Sequence, residues 1–236
     1  MRVTGIIPIE TTRHMHKSNL ARLLPLTDII EAQHAACDFV SGWQMPAHLK
    51  IYYRCSHELA MGKKSVAYYN YIGNKPSRRR IVVFIDKMVR RLYRTKSKEP
   101  YKVYLGGVLV HEFCHVRDYS NRFPIVFKQY QPLQNEEDKM LTYIYDFICE
   151  AHAEEQCTSF IQKYSPTYKP LSIFKLYREL LTEFKSPMYI YRKITRLINV
   201  CRLILGDGWF YKVALNPPDF DDLSHPEEYA EWLGGI

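Results

Sequence analysis

One pentapeptide constrains this chain more than any other stretch. Within residues 101–119, YKVYLGGVLVHEFCHVRDY, the run His111-Glu112-Phe113-Cys114-His115 sets two histidines four residues apart with a glutamate between them. On an α-helix, at ~100° per residue, the two imidazoles lie ~40° apart and one turn removed, so both can reach a single metal ion. Glu112 would then be placed to take a proton from water polarised by that ion and hand it to a leaving amine. Leu105, Leu109, Phe113 and Val116 fall on the opposite face, which predicts a helix that buries one side and presents the other. Gly107, one turn before His111, leaves room for another element to approach the metal closely. Ser97 and Pro100 supply start signals, and Asn121 with Pro124 supplies the stop. Cys114 turns partly away from the histidines and reads as core packing.

The motif needs a scaffold, and the chain has material for one. Its 236 residues, 47% hydrophobic, suit one domain with appendages: a core over 1–165, a helical extension over 166–210 and an acidic tail over 211–236. The longest uncharged apolar run near the motif, 103–110, is far short of the ~20 residues that cross a bilayer, so no membrane partner is expected. The first residues, MRVTGIIPIETTRHMHK, lack the apolar core of a secretory signal. Six cysteines without a C-x-x-C pair read as reduced thiols, which points to a cytoplasmic protein.

Ahead of the motif, residues 19–40 carry apolar side chains at helical spacing, broken once by Pro25, with Thr27 or Asp28 available as a cap. Three extended segments follow: HLKIYYR at 48–54, SVAYYNYI at 65–72 and RRIVVFI at 79–85, with a turn at 73–76. A small mixed or antiparallel sheet is implied, then a short helix over 86–93. Beyond the motif the pattern is helical, over 136–164, 171–184 and 189–205. Gly206-Asp207-Gly208 ends the last of these, and Pro217-Pro218 opens a tail that reads as extended. The fold class expected is therefore α+β, with a small sheet packed on the motif helix and a mostly helical second half.

Catalytic zinc takes three protein ligands and keeps one position for water, so a third ligand must come from elsewhere. Asp146, Glu150 and Glu154 recur every four residues along the helix over 136–164 and form an acidic column flanking its apolar face. The order of sheet, HEFCH helix and later glutamate helix resembles the gluzincin metallopeptidases, in which an E-x-x-x-D segment follows the motif helix and its glutamate is the third ligand. Glu150-Ala151-His152-Ala153-Glu154 is similar, with Glu in place of the usual Asp, and Glu150-Ala151-His152-Ala153 also resembles the ImmA/IrrE-type metallopeptidases. Both resemblances imply a zincin-like core and Glu150 as ligand. Asp118, three residues after His115, is similar to the acid in the H-E-x-x-H-x-x-D form of some gluzincins, which implies that it hydrogen-bonds a ligand or the second helix, and Glu154 would then orient a histidine. Periodicity alone sets Glu154 nearer the apolar face, which leaves Glu154 open as the ligand. His152 reads as a surface or packing histidine.

The function expected is a zinc-dependent metallopeptidase acting on a protein or peptide, with His111, His115 and Glu150 on Zn2+ and Glu112 as general base. By the same resemblance a peptide would lie along a sheet edge, and the strand over 81–85 is a candidate for that edge or for the centre. A different class competes. Thirteen basic residues against two acidic ones between Lys63 and Lys102 give that segment +11 of a net +8, while the chain beyond Lys212 holds six acids and no Lys or Arg. Arg78, Arg79 and Arg80 beside Tyr68, Tyr69 and Tyr71 suit phosphates and unstacked bases, so nucleic acid or an acidic protein is a candidate partner. The alternative is thus a nucleic-acid-binding protein whose zinc site is structural or regulatory. HEFCH is also similar to the motif of SprT-like proteases, which act on DNA-associated proteins, although their third histidine has no counterpart here.

Overall fold

The computed structural model describes residues 24–43, 45, 49–54, 66–70, 79–95, 100–121, 136–169 and 188–236. Its elements in order are α1 (Leu26–Phe39), β1 (Lys50–Arg54), β2 (Ala67–Asn70), β3 (Arg80–Phe84), α2 (Ile85–Thr95), α3 (Tyr101–Asn121), α4 (Glu136–Tyr164), α5 (Met188–Leu205), a 3-10 turn (Gly206–Gly208), α6 (Trp209–Leu215) and α7 (Pro226–Gly234). The chain is α+β, mostly helical, with one three-stranded mixed sheet. No described helix is long and apolar enough to cross a membrane. The chain divides into two compact units, residues 1–121 with 153–168, and residues 122–152 with 169–236; α4 runs unbroken through the boundary.

In the first unit the sheet order is β1-β3-β2, with β3 parallel to β1 and antiparallel to β2. The strand over 81–85 is therefore central, which settles the choice left open by its sequence: Ile81, Val82, Val83 and Phe84 are all buried. A strand covered on both faces needs an unbroken apolar run. Among the described residues the flanking strands are β1 and β2. The turn expected at 73–76 lies outside the described residues. α1 begins at Leu26, directly after Pro25, with no side-chain cap; Asp28 sits in its first turn instead, where its charge suits the helix dipole.

The motif helix α3 starts right after Pro100 and ends at Asn121, as its signals predict. Leu105, Leu109, Phe113 and Val116 are buried in one core with Ile51, Tyr53, Ile81, Val83 and Met88. Close helix approach comes from paired glycines. A Cβ on Gly106 would lie 2.5 Å from two ring carbons of Phe160, and one on Gly107 would lie 2.7 Å from Cγ1 of Ile161 and 3.2 Å from Sγ of Cys157. α4 thus packs against α3 at backbone distance just before the histidines. Phe160 fills this contact and meets Phe39 edge to face at 5.5 Å. Phe160→Ala should cost about 3–5 kcal/mol, read as a lowered urea midpoint. An unchanged midpoint would show that the contact does not hold the helices together.

In the second unit α5 buries Ile190, Tyr191, Ile194, Leu197, Ile198 and Cys201 on one stripe, packed with Trp209, Phe210 and Val213 of α6. The segment after Pro217-Pro218 is not an extended tail. Residues 219–224 turn, and Pro226 opens α7, whose Tyr229, Ala230 and Leu233 are buried. Proline at the first helical position, Glu227 and Glu228 in the first turn and an apolar set at four-residue spacing outweigh the acidic composition. Arg196 pairs with Glu227, and Lys212 Nζ donates to the carbonyl of Leu233 at 3.2 Å, so basic side chains of α5 and α6 tie α7 down within its own unit. The helix expected over 171–184 lies outside the described residues.

Candidate metal centre

The one-turn spacing of His111 and His115 brings their Nε2 atoms to 3.0 Å, with the rings nearly perpendicular at 81°. Two ligands ~2.05 Å from one tetrahedral ion are ~3.3 Å apart, so this pair is already close to a chelating geometry. His115 and Glu112 are buried and His111 is half-buried, so the groups face a restricted volume. Any charge there is felt more strongly than in open water.

Gly107 explains why an acid from α4 reaches this point. The helices approach at Gly107 through Cys157 and Ile161, and one and two turns earlier on α4 stand Glu154 and Glu150. Glu154 Oε2 lies 3.7 Å from Nδ1 of His111, the ring nitrogen away from His115. That is ion-pair range, and it favours the tautomer with a proton on Nδ1 and a lone pair on Nε2. Glu150 stands one turn before Glu154 on the same unbroken helix. Two imidazoles and a carboxylate are a donor set that zinc accepts, so these residues could hold it.

Cys114 and Asp118 lie one turn apart on α3, in surroundings of a different kind. Asp118, wholly buried, accepts from Arg117 Nε at 3.3 Å and from Cys114 Sγ at 3.4 Å. The guanidinium of Arg117, stacked on Trp43 at 3.8 Å, already supplies a cation there. Burial, then the charge of Asp118, pushes the Cys114 thiol well above its ordinary range, which opposes the thiolate a metal needs. Asp118 thus braces α3 through Arg117 and Cys114. His152 is a packing histidine, stacked on Phe210 at 3.8 Å.

The basic segment divides. Arg78 and Tyr71 lie outside the described residues, whereas Arg79 and Arg80 lead into the central strand and are half-buried. Tyr68 packs against Phe84 at 5.9 Å, and Tyr69 packs on the core. These two rings are therefore used in holding the sheet together.

Sequence reasoning passed over Arg91, Tyr104, Cys157 and Tyr168. Burial drives the Cys157 thiol well up, with the charges of Glu154 and Glu112 adding to it and Arg91 opposing. The Tyr104 hydroxyl is pushed up to about 12, chiefly by burial, with Arg91 opposing and Cys157 and Glu154 adding. The spacing of Tyr104, seven residues before His111, was a signal: two helical turns return to the same face. No family model, no curated protein and no solved structure matches the chain.

Proposed function

We propose that this protein is a zinc-dependent metallopeptidase acting on a protein or peptide substrate. The observation that carries the reading is the 3.0 Å approach of the two Nε2 atoms on α3, with Glu154 of α4 at 3.7 Å behind His111. His111, His115 and Glu150 would hold the ion, and Glu154 would hold the proton of His111 on Nδ1. Bound zinc supplies positive charge that acidifies a water and polarises a carbonyl. Glu112 accepts the proton of that water and delivers it to the departing amine. Its side chain is buried next to the two histidines, which suits this task. Five of the six cysteines are described and all are free thiols, which accords with a protein kept reduced.

Elemental analysis of purified protein tests the reading together with a peptide-cleavage assay. About one zinc per chain and cleavage that chelation abolishes are the expected results. A chain that takes up no metal after zinc supplementation would sink the proposal.

A further inference from the structure

The sheet has two faces, and the core takes only one of them. Side chains alternate along a strand, and residues paired in register share a face. Ile51 and Tyr53 of β1, Ala67 and Tyr69 of β2, and Ile81 and Val83 of β3 all join the apolar core that holds α3. The alternate set points the other way. Lys50 stands beside Arg80 in one row, Tyr52, Val82 and Tyr68 form the next, and Arg54 stands beside Phe84 in the third. Val82 and Phe84 are the buried floor of this face, whereas Lys50, Tyr52, Arg54, Tyr68 and Arg80 are half-buried and so partly open to water. The floor is covered by the face's own side chains: the Tyr68 ring lies 5.9 Å from that of Phe84, and Lys87 Nζ lies 4.6 Å above the Phe84 ring. Arg54 lies over Tyr52 at 5.5 Å.

This mixture of cations and rings contains no acid. The three strands carry no Asp or Glu, and Asp86, close by in sequence, is buried with Arg90 at 3.4 Å from its carboxylate. Basic residues on a strand ordinarily guard a sheet edge. Arg80 is on the central strand, where there is no edge to guard. Lys50 is its neighbour in register, and like charges placed so cost stability. The Nε atoms of Arg54 and Arg80 are also buried without an acceptor among the described residues, a further cost. An anion laid across the face offsets both. We infer that this face binds single-stranded nucleic acid, with phosphates on Lys50, Arg80 and Arg54 and bases on Tyr52 and Tyr68. The rows of Arg80 and Arg54 are four residues apart, ~13 Å, with the tyrosine row between them, and the two tyrosines are two strand spacings apart, ~10 Å. A flexible strand of nucleotides reaches both cationic rows and turns unstacked bases onto the rings between. A duplex keeps its bases stacked inside, and an acidic peptide answers the cations while leaving the tyrosines unused. The face is on the side of the sheet away from the core of α3, so its ligand does not depend on the metal centre.

The test measures fluorescence anisotropy of a labelled twelve-nucleotide oligothymidine with the full chain at low salt, beside the matching duplex and a twelve-residue polyglutamate as competitor. The single strand should bind severalfold more tightly than the duplex and resist polyglutamate. Arg54→Gln together with Arg80→Gln should weaken it about tenfold or more and lower the slope of log affinity against log salt by about 1.4. Tyr52→Leu and Tyr68→Leu should each cost about fivefold or more, while Tyr→Phe at either position keeps most of the binding, because stacking needs the ring alone. Lys163→Gln, the same loss of charge at the end of α4, should change little. No binding at low salt, or an equal loss in Lys163→Gln, overturns the inference, and polyglutamate competing as well as the single strand makes the face a site for acidic protein instead. Where a variant melts early, ultraviolet crosslinking of the unaltered chain to an iodouracil oligonucleotide decides: adducts on the β1 or β2 tyrosines support the face, and adducts confined elsewhere overturn it.

Discussion

Glu112→Gln should leave about one zinc per chain in place and lower peptide hydrolysis by at least ~10²–10⁴-fold. The argument follows from the motif's geometry. Glu112 is next to His111 in sequence but ~100° round the helix, so it stands beside the metal position without being needed as a ligand. Glutamine keeps the shape and the buried packing of that side chain and removes its ability to take a proton. Binding and chemistry are therefore separated in one substitution: elemental analysis reads the first, and initial rates on a quenched peptide read the second. Full hydrolysis by this variant would remove Glu112 from the proposed role and require another base.

The second large effect concerns which carboxylate of α4 holds the metal. Glu150→Ala, like His115→Ala, should empty the site at submicromolar free zinc, because two remaining protein ligands hold the ion far less well. Glu154→Ala should instead weaken zinc roughly 10–100-fold while leaving the stoichiometry at saturation unchanged, as removal of a carboxylate behind a ligating histidine does. The distinction rests on which ring nitrogen Glu154 meets. Glu154 lies 3.7 Å from Nδ1 of His111, while the two Nε2 atoms converge on each other at 3.0 Å. Competition with a zinc chelator measures both affinities. The reverse ranking, with Glu154→Ala the more damaging, would make Glu154 the ligand.

Much of the scaffold was legible because its signals are local. The helix over 136–164 has the bounds read from its periodicity, and the motif helix starts and stops at its proline and asparagine signals. The apolar stripe of Leu105, Leu109, Phe113 and Val116 is buried as its spacing requires. The last segment was misread because acidic composition and a proline pair outweighed the three apolar residues of α7. Those three acquire meaning only when α5 and α6 offer a surface for them. The arginine-tyrosine combination was ambiguous for a similar reason: alternating Tyr and basic residues suit both a ligand face and a packed sheet, and only strand order distinguishes the two.

By itself, then, the sequence determined that two histidines share one turn of an amphipathic helix with a glutamate beside them, since helical geometry fixes that relation without any partner. It also determined that a later helix carries acids at four-residue spacing. What the tertiary structure alone decided is which of these meet. Gly107 admits Ile161 and Cys157, that contact sets the register of α4 against α3, and the register brings Glu154 to His111. The physical reason is that helix periodicity constrains residues along one element, whereas contact between elements depends on side-chain volumes at a few crossing points, and a pattern of residue types does not encode them.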